Sequence, residues 1–430
     1  MFENLKGKKL LIIGGVKMMR EFVKRAQALG VYVVVTDYLK DSPAKEIADK
    51  SFMVNALDVE GIVQLCKNEK IDGVTTGYVD ILLPVCREVC KRLNIPYYAT
   101  EELIKGATDK GVFKQYAKKH GIPIPRTYDI TKDNYKEKAS EIEYPVFVKP
   151  LDASGSRGAA VCYDKEKFLS QFELALSYST QKIVIVEEYL TGVDIILDFL
   201  IVNGQPYLMS LFDRMMCKDR PSAINHANLL IAPSRCIDKF TNEVIPCVKS
   251  MLQDMGVKNG IMFLQGYVDG TKITFFEMGC RLGGTFPNIV EYFTGVNPID
   301  ALVSHALTGK MVDEEKLGKV NGKYNGLGGV INLLVKANGL RIGSIKGVEE
   351  IRKIPQVVQV HQLMEVGDSF NASKNTDSPV VIVHFAAKNL SEYKEIVQQV
   401  YDLIEVTDES GKSLLMDQFG LDQIENKFYK

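Results

Sequence analysis

Continuous apolar runs alternating with amphipathic helices constrain the first hundred residues of this chain more than any other feature. Leu10 to Ile13 is a short buried-type strand closed by Gly14-Gly15. Met18, Phe22, Ala26 and Leu29 then recur at three- and four-residue steps, which predicts a helix that Gly30 stops. Val31 to Val35 predicts a second strand ending at Thr36-Asp37, and Ile71 to Thr76 a third. A helix over Ile81 to Leu93 and a strand over Ile95 to Tyr98 follow. Strands that are apolar along their whole length are covered on both faces, so an α/β fold with an open parallel sheet is expected. Ligands of such sheets gather at the carboxyl ends of the strands, where Gly14, Gly15, Asp37, Thr76, Gly77 and Asp80 lie.

A dinucleotide-binding dehydrogenase is one reading of this part, because Asp37 follows the glycines by about twenty residues. Gly14-Gly15-Val16-Lys17 is not the G-x-G-x-x-G fingerprint, and a turn in a doubly wound domain is preferred.

Length and charge narrow the class further. At roughly 150 residues per domain, 430 residues suggest about three domains or subdomains. Lys plus Arg is 53 and Asp plus Glu is 54, with no polybasic stretch, which argues against nucleic acid as a partner. No run reaches the roughly 18 apolar residues of a membrane-spanning helix. The apolar stretch at Leu10 runs straight into Gly14-Gly15, so a secretory leader is not expected. Eight cysteines are scattered without zinc-type pairing, and Cys86 and Cys90 sit at helical spacing as small buried hydrophobes. A cytoplasmic protein without membrane contact is expected.

The middle of the chain carries phosphate chemistry. Pro145 to Lys149 and Ala159 to Tyr163 read as strands flanking Ser154-Gly155-Ser156-Arg157-Gly158. A glycine-rich loop between two strands is a flap whose backbone N–H groups can fold over phosphate oxygens. It is not a Walker loop, which needs Gly-Lys-Ser/Thr opening a helix. Lys149 ends the strand entering the flap, and Lys110 stands just ahead of a helix; both are candidates for the same phosphates. Ile183 to Val186 is a strand followed by Glu187-Glu188-Tyr189-Leu190, a turn at Thr191-Gly192, and Asp194 opening the next strand. Such a strand end can pair with an adenine edge, and Asp194 could take the ribose hydroxyls.

Residues 260–284 carry the sharpest signal. Met262 to Val268 and Thr271 to Met278 are strands joined at Asp269-Gly270, a hairpin. A three-residue loop with a bulge would set Gln265 and Glu277 on one face as diagonal neighbours about 7–8 Å apart. A strict two-residue turn would put them on opposite faces. Oxygen ligands on one face, completed by phosphates, suit Mg²⁺. Arg281 follows Glu277 by four, and Gly283-Gly284 allows a substrate close to the backbone. The stretch 210–236 lacks periodicity and holds Asp213, Arg214, Lys218, Arg220, His226 and Arg235, candidates for an acceptor pocket.

Together these motifs resemble the ATP-grasp superfamily, and the resemblance covers nearly the whole chain. It rests on Asp109-Lys110, Val148-Lys149-Pro150, the Ser154–Gly158 flap, Glu187 to Leu190 with Asp194, and Phe276 to Gly284. Within that superfamily the size and domain order look most like carboxylate–amine ligases of the L-amino-acid ligase type. Biotin carboxylase and carbamoyl-phosphate synthetase units are close relatives. The resemblance implies an ATP-grasp fold with a pre-ATP-grasp domain at 1–105. The ATP-grasp domain would span 106–318, with a flap subdomain at about 115–190 and an antiparallel sheet from 191. A C-terminal α+β closing domain would fill 319–430.

The implied activity is amide or peptide bond formation through an acyl phosphate, with release of ADP and phosphate. Bicarbonate activation is the enzymatic alternative, and a non-catalytic nucleotide sensor a third reading. Implied cofactors are ATP and Mg²⁺ or Mn²⁺; implied partners are a small carboxylate and an amine, with a homodimer as an option. By resemblance, Lys110 and Lys149 hold the α- and β-phosphates, and Ser154, Gly155, Ser156 and Gly158 cover them. Glu187, Glu188, Tyr189 and Leu190 form the adenine-binding linker, and Asp194 is the ribose acid. Glu277 bridges metal ions with Gln265 beside it, while Arg281, Gly283 and Gly284 hold the acyl phosphate. Gly279 stands where the family has a metal-binding Asn, which leaves open what fills that place.

Overall fold

The computed structural model describes residues 3–152, 157–216, 227–283, 287–335, 340–369, 378–422 and 424. The flap residues Ser154, Gly155 and Ser156, the substrate candidate Gly284, and Lys218, Arg220 and His226 lie outside that set.

Strands β1 (Lys9–Ile13), β2 (Tyr32–Thr36), β3 (Lys50–Phe52) and β4 (Gly73–Thr75) form a parallel sheet in the order β3-β2-β1-β4. Helices α1 (Met19–Ala28), α2 (Val59–Glu69) and α3 (Leu83–Leu93) join them. The parallel α/β expectation holds here, with one change of strand. Residues 95–98 form no strand; Pro96 has no N–H to give a ladder, and the Tyr98 hydroxyl donates instead to the Cys280 carbonyl at 2.7 Å. The edge is Lys50–Phe52, a segment too polar to read as a strand. Asp37 accepts from the Gly15 N–H at 2.7 Å and the Leu39 N–H at 2.9 Å. Its carboxylate stitches the turn after β1 to the end of β2.

Two more helices, α4 (Glu101–Thr108) and α5 (Lys110–Lys119), lead into the flap sheet of β5 (Val146–Pro150), β6 (Ala160–Cys162) and β7 (Val184–Glu188), ordered β6-β5-β7. Val146, Val148, Phe168, Phe172 and Val186 fill its core. Strands β8 (Val193–Val202), β9 (Gln205–Met216), β10 (Ala227–Ala232), β11 (Gly260–Asp269) and β12 (Lys272–Gly279) begin a larger antiparallel sheet. Of the remaining strands, β13 (Leu327–Val335), β15 (Val357–Gln362) and β16 (Ser378–Ala387) extend it, while β14 (Ile342–Lys346) pairs with β17 (Glu405–Asp408). The eight strands run β12-β11-β8-β9-β10-β13-β16-β15. The C-terminal region therefore continues the central sheet through the β10–β13 ladder, where Leu230 faces Val330. No helix among the described residues is long and apolar enough to cross a membrane.

Candidate active site

Asp109 caps α5, its carboxylate accepting from the Gly111 N–H at 2.7 Å and the Val112 N–H at 3.2 Å. The cap fixes Lys110 at the first position of the helix and Lys114 one turn later. Opposite them, β5 and β7 pair Phe147 with Glu187, so Lys149, two residues on, shares the face of Glu187. Lys149 Nζ lies 2.8 Å from Glu187 Oε2, and Lys114 pairs with the other carboxylate oxygen. Glu187 is 2% exposed and Lys149 7%. Burial, with the Lys114 and Lys110 ammonium groups, pushes Lys149 down to about 7 against the pull of Glu277. Burial and Lys110 push Lys114 down to about 8. Two lysines thus pair with one buried carboxylate, and Lys110 lies near enough to act on both, a cluster suited to phosphate oxygens.

The Glu187 side chain, expected in the adenine linker, pairs with Lys149 and Lys114, because a strand places it on the same face as Lys149. Lys114 belongs to the cluster and was missed, although its spacing of four from Lys110 put both on one helix face. Glu188 is partly committed as well, accepting from the Arg126 N–H at 3.2 Å and Lys272 Nζ at 3.2 Å. The Tyr189 N–H donates to the Pro145 carbonyl at 3.3 Å, its ring stands edge-on to Tyr163, and Leu190 follows half-buried before β8. The Gly158 carbonyl accepts from Gln171 at 2.8 Å, anchoring the end of the flap on its helix.

The hairpin also differs from expectation. Asp269 pairs with Lys272, so the turn has two residues rather than three. The bulge sits inside the ladder instead: Gly266 faces Phe275 and Gln265 faces Glu277, which leaves Phe276 as the extra residue. That shift restores Gln265 and Glu277 to one face as direct partners, closer than the diagonal pair expected. The Gln265 amide nitrogen is 3.4 and 3.5 Å from the Asp194 carboxylate oxygens, which turns its carbonyl oxygen away from Asp194. Arg214 Nη1 donates to Asp194 Oδ1 at 2.9 Å. Asp194 is 4% exposed, and burial raises its pKa while Arg214 and Gln265 hold it down. Its side chain therefore closes a buried pair beneath Gln265.

Gly279 faces Phe263 across the same ladder, and a Cβ on Gly279 would lie 2.1 Å from that ring. Phe263 fills the space a side chain at 279 would take, and the Arg281 guanidinium stacks over the same ring at 5.1 Å. Arg281 Nε also approaches Asp80 Oδ2 to 2.8 Å, and the Leu282 N–H donates to the Gly77 carbonyl at 3.2 Å. The loop after β12 is thus docked on the loop after β4. Gly283 has no room for a side chain, since a Cβ would meet Asp198 Oδ1 at 2.3 Å. Asp198 is 5% exposed, accepts from Ser210 at 3.1 Å, and is pushed up to about 7 by burial.

Asp213, a candidate for the acceptor pocket, is committed to partners within the fold. It is fully buried on β9, where it accepts from the Ser234 hydroxyl and, at 3.3 Å, from the Arg235 N–H. Burial pushes it up to about 6. Residues 217–226 lie outside the described set; in the flanking segments Asp213, Ser234 and the Arg235 N–H satisfy each other.

Comparison with known proteins follows this geometry. Residues 109–311 match the family model "Carbamoyl-phosphate synthase L chain, ATP binding domain". The chain is 25% identical over 276 residues to the carbamoyl phosphate synthase large chain of Clostridium acetobutylicum, covering 63% of this chain and 25% of that one. It is 28% identical over 187 residues to the formate-dependent phosphoribosylglycinamide formyltransferase of Sulfolobus acidocaldarius, 42% of this chain and 46% of that one. The chain therefore spans less than half the length of these relatives. The L-amino acid ligase of Bacillus licheniformis superposes with a TM-score of 0.74 at 17% identity, over 94% of this chain and 99% of that one.

Proposed function

We propose that this chain, which matches an ATP-binding family model over residues 109–311 and shares the fold of an L-amino acid ligase, is an ATP-dependent carboxylate–amine ligase that works through an acyl phosphate and releases ADP and phosphate. The observation that carries this reading is the pairing of Lys114 and Lys149 with Glu187, close to the charges of Lys110 and Glu277, with Gln265 beside Glu277 across the ladder. A substrate carboxylate attacks the γ-phosphorus, and the lysines offset the charge that builds on the phosphate oxygens. Arg281, stacked on Phe263, is held to bind the acyl phosphate while an amine attacks its carbonyl and phosphate leaves. The flap and the close backbone at Gly283 exclude the water that would otherwise hydrolyse it.

Magnesium fits the donor set. Glu277 makes no hydrogen bond among the described residues and is half-exposed, and the Gln265 carbonyl oxygen lies across the ladder from it. No group of three or more His, Cys, Asp or Glu able to hold a metal occurs among the described residues. Glu277 and Gln265 would hold the ion with phosphate oxygens completing the shell, the pattern Mg²⁺ favours. Bound there, the ion would supply further neutralisation of phosphate charge. The ribose and adenine contacts fall to the segment 187–190, with Asp194 beneath it, and a cytoplasmic, small-molecule role is the setting proposed.

The test is ADP and phosphate release from Mg²⁺-ATP across a panel of amino acids, dipeptides, simple carboxylates and bicarbonate, with AMP followed in parallel. ADP release that needs one acid and one amine supports the reading. Release with bicarbonate alone favours the carboxylase or carbamoyl-phosphate alternative, which the matching family model supports. AMP release overturns the acyl-phosphate route. Lys149→Ala and Glu277→Ala should each slow ADP formation by on the order of 10²–10³, and near-normal turnover in either would remove it from the site.

A further inference from the structure

The nucleotide site leaves a polar cavity unused. A half-open cleft of about 290 Å³ lies between the start of α1, the start of the Pro287–Thr294 helix and strand β15. Lys17, Arg20, Lys24 and Arg352 line it against two carboxylates, Glu21 and Glu365. Lys17 is 3.2 Å from Glu365, and Arg20 is 3.4 Å from Glu46 outside the cavity. Lys24 makes no ion pair among the described residues. Arg352 spends Nη1 on the Val360 carbonyl at 3.1 Å and Nε on Glu349 at 3.2 Å, which leaves Nη2 for another acceptor. His361, whose Nε2 lies 3.3 Å from Asn288 Oδ1, ties β15 to the helix start across the space.

We propose that this cavity seats an anionic group, a carboxylate or a phosphate, of the organic substrate, with Lys24 and Arg352 as its principal contacts. Four cations against two carboxylates in one concave wall concentrate positive potential. The volume lies at the low end of ligand pockets, which suits a molecule of amino-acid to sugar-phosphate size. Its position relative to the chemistry comes from the loops that border it. Tyr78 lies on the wall next to Gly77, whose carbonyl holds the Leu282 N–H, and two residues from Asp80, which pairs with Arg281. A substrate anchored here by its anion is tethered beside the loop that carries Arg281 and Gly283. The role as substrate anchor rests on the ligase reading; the binding of an anion does not.

The experiment is calorimetric titration of the full chain with inorganic phosphate, glycerol 3-phosphate, succinate and glutamate, each in the presence of saturating ADP. Lys24→Gln and Arg352→Gln are compared with the parent; both side chains are exposed, so the fold tolerates the changes, and ADP affinity serves as the control. Losing one charge-assisted contact should weaken the bound probe by about tenfold or more while ADP affinity stays unchanged. Binding confined to the phosphates assigns a phosphate-bearing substrate, and binding confined to succinate and glutamate assigns a carboxylate. The proposal is overturned if no probe binds the parent, if the variants bind as the parent does, or if ADP affinity falls together with the probe's. A chain that releases no ADP with any acid and amine would end the ligase reading and leave these titrations to stand on their own.

Discussion

Lys149 and Glu187 meet at 2.8 Å between β5 and β7, each almost wholly buried. Burial and the neighbouring lysines set the protonation state of this cluster in the free protein. Lys149 is pushed down to about 7 and Lys114 to about 8, so at pH 8 a large part of this charge is absent from the free protein. Phosphate oxygens favour the ammonium form and raise both values on binding. Titration of ADP at pH 8 in buffers of different ionisation enthalpy should therefore show uptake of on the order of one proton. The uptake should fade at pH 6 and shrink in Lys149→Met. Identical heats in all buffers at pH 8 would mean that Glu187 already holds the lysines fully charged.

Glu187→Ala tests the same pair from the other side. Removing the carboxylate leaves two ammonium groups buried beside each other, a loss of about 3 kcal/mol or more in comparable buried pairs. Phosphate oxygens can replace the missing carboxylate. Thermal unfolding should show a lower midpoint for Glu187→Ala and a larger rise on adding ADP than in the parent. An unchanged midpoint would show that the lysines shed their protons instead.

What the sequence made legible follows from where the signal lies. The parallel sheet was readable because Leu10 to Ile13 and Val31 to Val35 are apolar on both faces. Glu277, Lys149 and Arg281 were singled out because they stand beside glycines and strand ends in a recognisable order. The pairing of Glu187 with the lysines was hidden because the sequence shows which residue follows a strand and not which face it takes; only the Phe147–Glu187 register does that. The position of the hairpin bulge was hidden for a related reason, since a two-residue turn with Phe276 extra and a longer loop yield the same parity for Gln265 and Glu277. Phe263 looked like any core aromatic until Gly279 was found beneath its ring. The cavity beside α1 joins residues more than three hundred positions apart, beyond the reach of any local pattern.

Gly279→Asn would push a side chain into space that Phe263 occupies. A Cβ at 2.1 Å from the ring forces Phe263 aside and with it the stacked Arg281. Overpacking of this kind costs about 1–3 kcal/mol, and ADP formation should fall with it. Combining Gly279→Asn with Phe263→Ala should cost less stability than the sum of the two single changes, because the second makes room for the first. Strict additivity in denaturant unfolding would mean that ring and glycine are not in contact.

Asp198→Asn separates the pH dependence of the fold from that of the chemistry. Burial pushes Asp198 up to about 7, whereas an unfolded chain loses this proton near pH 4. Between those values the folded state binds the extra proton, so this group lowers stability as pH rises through the window. A shift of that size corresponds to about 4 kcal/mol between pH 4 and pH 7. Asn keeps the shape and the ability to accept from Ser210 but cannot titrate. Its stability relative to the parent should therefore climb from pH 4.5 to pH 7.5 in urea unfolding. A difference that stays flat would place an ionised Asp198 opposite Arg281, in which case the carboxylate serves as the buried counter-charge of that arginine.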